Sequence, residues 1–203
     1  MIVTELEEMP GGKRKVYLDG QFAFVLYRGE LSRCQVEVGA DISEEQYRCI
    51  VEEILWLRIR KRCLFLLKDM DRSEAQIRRK LNGDLYPQEL IERAVQWLKE
   101  HRYLDDYRFA ESYVRCRKEK KSKSQLKMEL MKKGVSAQAI EAAFEEEELP
   151  DEESLIRAFL RKKGVSLAEL DYKEKQKLYG SLRRKGFSGS SVSRILCGVE
   201  EFD

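Results

Sequence analysis

A chain of 203 residues that is 42% apolar (AVILMFWYC) and 37% charged is long enough for one large domain or a string of small ones, with thin cores. Lys and Arg number 39 against 37 Asp and Glu, a formal net charge of +2, so any electrostatic role depends on where the charges lie rather than on their sum. The longest wholly apolar run, CLFLL at 63–67, is far short of the roughly 20 residues that cross a bilayer, and no basic start with an apolar stretch and cleavage site opens the chain, so neither a membrane span nor export is expected.

The first forty residues carry a two-residue period. In KVYLDGQFAFVL, Val16, Leu18, Phe22, Phe24 and Leu26 alternate about Asp19-Gly20, a strong hairpin signal. With IVTELEE before it, a small antiparallel sheet of two or three strands is expected. GELSRCQVEVG is ambiguous and fits a short helical turn followed by an extended segment. The period then becomes helical. In DISEEQY, Ser43 stands at an N-cap with Gln46 three residues on, and Ile42 is placed to staple to Tyr47. Tyr47, Ile50, Val51, Ile54 and Leu55 continue at helical spacing, as one long helix or as two that meet at 57–62.

Beyond this stretch the chain repeats. When Ile77, Leu126 and Leu178 are aligned, Leu81, Leu130 and Leu182 coincide, followed by Tyr86, Val135 and Phe187, then Ile91, Ile140 and Val192, then Val95, Phe144 and Leu196. The steps between copies are 49 residues (77 to 126) and 52 (126 to 178). Each copy reads as a helix with apolar residues four apart, a turn in which Gly134 and Gly186 suit a left-handed cap, and a second helix begun by Pro87, Ser136 or Ser188. Ser73 with Gln76, and Ser122 with Gln125, form the same S-x-x-Q capping box. Further helical stretches, DDYRFAESYVRCR and EESLIRAFLRKKG, lie between the copies. The expected fold is mainly α: three tandem three-helix repeats in a curved array behind a small N-terminal antiparallel β region. The pieces are 1–42, the β region; 43–101, a linking helix and the first repeat; 102–148, the second; and 149–203, the third.

Chemistry is sparse. The five cysteines, Cys34, Cys49, Cys63, Cys116 and Cys197, never form a C-x-x-C pair, which reads as reduced thiols in a cytoplasmic protein rather than a zinc site or disulfide framework. A single histidine, His101, excludes a His-based triad or multi-histidine metal site within one chain. Asp105 and Asp106 invite a two-metal reading. Neighbours on a helix point about 100° apart, however, and only Glu100 and Glu111 lie nearby in sequence. The two aspartates are better read as a cap and first-turn acid of a helix starting at Tyr107, worth roughly 0.5–2 kcal/mol. Trp97 falls at core spacing with Ile91, Ala94, Val95 and Leu98, and Tyr103, Tyr107 and Tyr113 read as packing residues with exposed tips. No phosphate-binding glycine loop is present.

The basic residues are more suggestive. Residues 58–80 hold nine Lys or Arg against three acids, and 115–133 hold nine against two. RKKG, RRKG and MKKG recur, the last two in register. A single basic run is usually a solvated helix face, but equivalent positions in stacked repeats line one face and make an electropositive stripe. About six contacts to single-stranded phosphates would give a salt slope near −4, at roughly −0.7 per contact. The acidic stretch EAAFEEEELPDEE interrupts the stripe, either as a charged joint or as a contact for a basic partner.

DRSEAQIRRKL, YLDDYRFAESYV and SQLKMELMKKGVS together resemble the RecX regulatory proteins of bacteria, over about residues 64–197. The resemblance implies a non-catalytic modulator of the RecA recombinase in homologous recombination, DNA repair and the SOS response. Such a protein lies in the groove of the RecA filament on single-stranded DNA, or on double-stranded DNA. It would inhibit strand exchange and ATP turnover or promote disassembly, as a cytoplasmic monomer with no cofactor, no metal and no membrane contact. The matching basic positions are Arg72, Arg78, Arg79 and Lys80 in the first repeat and Arg115, Arg117, Lys127, Lys132 and Lys133 in the second. With Lys118, Lys120, Lys121 and Lys123, and with Arg161, Lys162, Lys163, Arg183, Arg184 and Lys185 in the third repeat, they make the expected RecA/DNA-binding face. Ser73, Asp105, Asp106 and Ser122 are the expected structural caps. The third repeat departs most, having an acidic connection at 149–153 and no serine cap before Leu178 of the kind that precedes Ile77 and Leu126. A stand-alone nucleic-acid-binding or transcription factor using basic helix pairs is the alternative.

Overall fold

The computed structural model describes residues 1–198; the end of the third expected repeat, 199–203, lies outside the described residues. Asp19 and Gly20 both take positive φ, 48° and 80°, the conformation of a type I′ turn whose twist suits a hairpin. Around them β2 (Lys13–Leu18) and β3 (Gln21–Tyr27) pair antiparallel, and β1 (Val3–Met9) pairs on the other side of β2. Val16, Leu18, Phe24 and Leu26 point into the core as their alternation requires, but Phe22 is 40% exposed. Val16 faces Phe24 while Tyr17 faces Phe22, so Ala23 is the extra residue of a bulge. The bulge turns Phe22 onto Tyr17, ring centroids 6.0 Å apart.

A short helix, α1 (Arg28–Arg33), leads to a helical run with no break at 57–62: α2 (Glu44–Cys49), a π-helical stretch (Ile50–Leu55) and α3 (Trp56–Leu67) follow one another directly. Ser43 Oγ accepts from Gln46 N at 3.1 Å, while the Gln46 side chain reaches away to donate to the Cys34 carbonyl at 2.6 Å. The helix start is thereby tied to the loop behind α1. With α4 (Glu74–Gly83) and α5 (Gln88–Glu100), α3 forms the first three-helix repeat. One continuous core joins Val16, Phe24 and Leu26 of the sheet to Ile59 of α3, Ile77 of α4 and Ile91 of α5. The sheet and the first repeat therefore share their apolar burial, which is how a small sheet with one apolar face is stabilised.

This compact unit ends at Asp105, and a second begins at Asp106. The second unit contains α6 (Asp106–Arg115), α7 (Lys123–Lys132) and α8 (Ala137–Glu146), then α9 (Glu152–Lys163), a 3₁₀ turn (Leu167–Glu169), α10 (Tyr172–Arg184) and α11 (Gly189–Cys197). Each triplet has its own core, one around Leu126, Leu130, Ile140 and Phe144 and the other around Leu182, Phe187, Val192 and Leu196. Of the fifteen aligned apolar positions, all but Tyr86 and Leu178 are buried. Truncating one of them, such as Leu126, to alanine costs about 2–5 kcal/mol.

The caps vary on this common plan. Ser73 and Gln76 close a reciprocal box on α4. Ser122 Oγ accepts from Gln125 N at 3.2 Å, but the Gln125 side chain turns forward to Glu129, so the expected second box is only half made. The third repeat supplies a different one: Asp171 and Glu174 close a reciprocal box on α10, so that α10 starts a turn earlier relative to its anchor Leu178. The two triplets of this unit also touch through a cap. Ser122 Oγ donates to the Lys185 carbonyl at 2.8 Å, so the start of α7 sits against the end of α10. Gly186 makes that approach possible: it has φ +79°, and a Cβ there would lie 2.8 Å from Ser122 Oγ and 3.2 Å from the Gln125 nitrogen.

Candidate nucleic-acid interface

The basic residues picked out by sequence divide into three kinds. Some are held by internal acceptors. Arg78 bonds Glu92 through Nε at 3.1 Å and Nη2 at 2.6 Å, and also pairs with Glu74 one turn back. Arg72 Nε donates to the Leu66 carbonyl at 2.8 Å, and Arg183 Nη1 to the Phe187 carbonyl at 2.6 Å. Lys127 pairs with Glu141, and Lys121 Nζ lies 2.6 Å from both Glu129 oxygens. Arg115 Nε and Lys118 Nζ converge on Glu147 at 2.6 and 2.9 Å, and Arg115 also pairs with Glu111.

Glu147 settles what the acidic stretch does locally. Its side chain is only 8% exposed, and its two cations, Lys118 first and then Arg115, hold its carboxyl below the usual range. Farther along, Asp151 Oδ2 caps α9 by accepting from Ser154 N at 3.0 Å. Glu152 accepts from Ser188 N at 3.1 Å, and Glu153 meets Arg194 at 3.1 Å. These acids bind their own unit together, and the segment is a set of clamps rather than a loose charged joint.

The second kind of cation lies over aromatic rings. In the second repeat Arg117 sits 4.0 Å and Lys133 5.2 Å from the Tyr113 ring centroid. In the third, Lys163 and Lys185 sit 5.2 and 5.0 Å from that of Phe159. The two arrangements are equivalent. The aromatic residue lies on the first helix, one cation follows it by four residues, and the other is the C-cap of the middle helix, followed by a glycine with φ +82° (Gly134) or +79° (Gly186). A ring face attracts a cation by about 0.5–1 kcal/mol at exposed sites without cancelling its charge, and the C-terminal carbonyls favour it further. Arg117, Lys163 and Lys185 have no carboxylate partner among the described residues. Lys123 is similarly placed, 4.9 Å from the Phe144 centroid.

Tyr113 is more than a platform. It is buried rather than exposed at its tip, and its hydroxyl donates to Glu129 at 2.6 Å. Burial and this bond to a carboxylate push its phenol up to about 12. Burial disfavours the charged Glu129, yet the Lys121 ammonium and the Tyr113 hydroxyl hold its carboxyl below the usual range. The ring that carries Arg117 and Lys133 is thus fixed by a charge-assisted network.

The third kind is exposed and without an ion pair among the described residues: Arg79 and Lys80 on α4, Lys120 and Lys132 in the second repeat, and Arg161, Lys162 and Arg184 in the third. The sequence does carry a signal for the ring-seated pairs, an aromatic residue with a cation four residues on and a later Lys-Gly dipeptide. The spacing pattern alone did not connect the two halves.

Asp105 stands in the N-cap position of α6 and Asp106 is its first residue, so the helix begins one residue earlier than expected. Among the described residues no three His, Cys, Asp or Glu side chains gather as a metal-binding group. Tyr103 and Tyr107 are each 49% exposed, and Trp97 is half-buried against Trp56.

Fold and site together define a class: tandem three-helix repeats behind a small sheet, presenting cations seated on aromatic rings at equivalent places of successive repeats. Within that class, two domain models match in order, the second three-helix domain of RecX at residues 105–143 and the third at 151–196. The regulatory protein RecX of Clostridium tetani is 24% identical over 200 residues, covering 96% of this chain and 92% of its own length. That of Clostridioides difficile is 26% identical over 208 residues, covering 100% and 97%. A crystal structure of regulatory protein RecX shares the fold with a TM-score of 0.59 at 24% identity, covering 97% of this chain and 98% of its own. RecX from Lactobacillus salivarius does so with a TM-score of 0.57 at 21% identity, covering 71% and 96%. Over nearly its whole length the chain is similar to the RecX regulatory proteins, and its second and third triplets match RecX domain models in order.

Proposed function

We propose that this chain is a non-catalytic regulator that binds the RecA filament on single-stranded DNA in its groove and lowers recombinase and ATPase activity, by impeding strand exchange or by promoting disassembly. The observation that carries the reading is the recurrence of ring-seated cation pairs, Arg117 with Lys133 and Lys163 with Lys185, in consecutive repeats. Cations held this way keep their charge and lose little side-chain entropy when they meet phosphate, the main source of affinity for nucleic acid. The exposed Lys120, Lys132, Arg161, Lys162 and Arg184 extend the same chemistry. No helix among the described residues is long and apolar enough to cross a membrane. On this reading the protein acts as a cytoplasmic monomer and needs no cofactor.

The test is RecA ATP turnover on single-stranded DNA with the protein well below the RecA concentration. Inhibition is expected, and reversing Lys133 and Lys185 together to Glu is expected to abolish it while thermal unfolding stays close to that of the parent. Unchanged inhibition would remove these cations from the interface. Arg78 is unsuited to such a test: its reversal would face Glu74 and Glu92 and report on folding.

A further inference from the structure

The first compact unit carries an aromatic surface that its core does not explain. Trp97, in the last turn of α5, has its ring centroid 4.7 Å from His101 and 5.9 Å from Tyr103. The planes tilt by only 36° and 34°, and the His101 and Tyr103 rings are parallel to within 3°. The backbone is bent to make this arrangement. His101 caps α5 with its Nδ1 2.9 Å from the Trp97 carbonyl, Arg102 takes a left-handed φ of 58°, and Tyr103 N returns to the Leu98 carbonyl at 2.9 Å. A left-handed arginine costs on the order of 1–2 kcal/mol. It is retained where the chain folds Tyr103 back beside Trp97.

Packing accounts for only part of this surface. Trp56 and Trp97 are half-buried against the core, whereas His101 is exposed and Tyr103 is 49% exposed. Beside the rings lies a cation of the same kind as those of the second unit. The Arg60 guanidinium is 5.7 Å from the Trp56 centroid and 5.5 Å from that of Trp97, with no carboxylate partner among the described residues. Its neighbour Arg93, 4.1 Å from the Trp56 centroid, is by contrast neutralised by Glu52 at 2.6 Å. Trp56 meets Trp97 edge-on at 84° and buttresses it.

We infer that Trp97, His101 and Tyr103, with Arg60 beside them, form a stacking site for an unpaired base of single-stranded nucleic acid. The exposed, parallel rings of His101 and Tyr103 against half-buried Trp97, with Arg60 beside them and free of a carboxylate partner among the described residues, suit a base and its phosphate, because every base offers a π-face to stack and a charge to its side. The inference rests on the proposed function for the single-stranded character of the ligand, and adds to it a site that contacts bases, separate in kind from cations that contact phosphate.

The experiment uses the full chain without RecA. The protein has two tryptophans, so Trp56→Phe leaves Trp97 as the sole reporter. Oligo(dT) is expected to quench its emission saturably, while an abasic oligonucleotide of equal length and the corresponding duplex do not. In the otherwise unaltered chain, binding of a labelled oligo(dT) followed by anisotropy is expected to weaken about tenfold in Tyr103→Ala and to be kept in Tyr103→Phe. This second measurement stands even if Trp56→Phe impairs folding. Equal quenching by the abasic strand or the duplex, or parental affinity in Tyr103→Ala, overturns the site. If that happens while RecA inhibition persists, the stacking site falls and the proposed function stands; stacking without RecA inhibition gives the reverse.

Discussion

The first repeat and the two that follow use one scaffold and end their middle helix in opposite ways. In the second and third, the C-cap is Lys133 or Lys185, the next residue is a left-handed glycine, and the lysine rests on an aromatic ring. In the first, the C-cap is Asp84, bonded to Arg62 Nε at 2.7 Å, and the left-handed residue is Leu85 with φ 61°. The same backbone turn therefore sets a lysine on a ring in two repeats and an aspartate against an arginine in the other. Identical helices do not imply identical surfaces, and a single cap residue decides which charge stands at the end of the middle helix.

The largest test of this contrast is Gly186→Ala. The new Cβ would be held at positive φ and pressed to 2.8 Å from Ser122 Oγ. The strain and the collision together are expected to cost about 2–4 kcal/mol in denaturant unfolding. A cost under about 1 kcal/mol would mean that α7 and α10 do not meet as closely as described. Next comes Tyr113→Phe, which keeps the ring under Arg117 and Lys133 but removes the hydroxyl bonded to Glu129. A loss of about 1–3 kcal/mol is expected, with nucleic-acid affinity little changed, because the ring and not the hydroxyl seats the cations.

Glu129 also predicts a dependence on pH. Its folded pKa is lowered, so its stabilisation is complete above the ordinary carboxylate range, near 4.3, and is lost as pH falls through the lower folded value. Acid unfolding of the parent should therefore be less steep in Glu129→Gln, which is less stable near neutral pH and converges with the parent in acid. The smallest effect belongs to the first repeat. Leu85→Gly exchanges left-handed strain for extra freedom in the unfolded chain, and the two should offset to within about 1 kcal/mol.

Much of the scaffold was legible in the sequence because it is written in local spacing. Asp19-Gly20 fixes a turn by the φ its residues tolerate, and the recurrence from Ile77 to Leu196 marks buried helix faces. The departures arise where a neighbour offers a competing partner or the backbone bulges. Gln125 leaves its box for Glu129, and Phe22 leaves the core because Ala23 bulges. The candidate site was legible as a population of cations but not as a sorted one. Arg78 finds Glu92 on the next helix, and Arg115 finds Glu147 thirty-two residues on, pairings that no run of basic residues discloses. Nor does composition say that Lys133 and Lys185 lie on rings, since Tyr113 and Phe159 belong to other helices.

The central claim is that the ring-seated cations contact the phosphates. The direct measurement is the salt dependence of oligo(dT) binding for the parent, for a variant with Arg117, Lys133, Lys163 and Lys185 all changed to Gln, and for Lys127→Gln, whose lysine is paired with Glu141. Each lost phosphate contact lowers the slope by about 0.7, so the fourfold variant should lose about 3 and Lys127→Gln nothing. Equal losses per lysine in both variants would contradict the account.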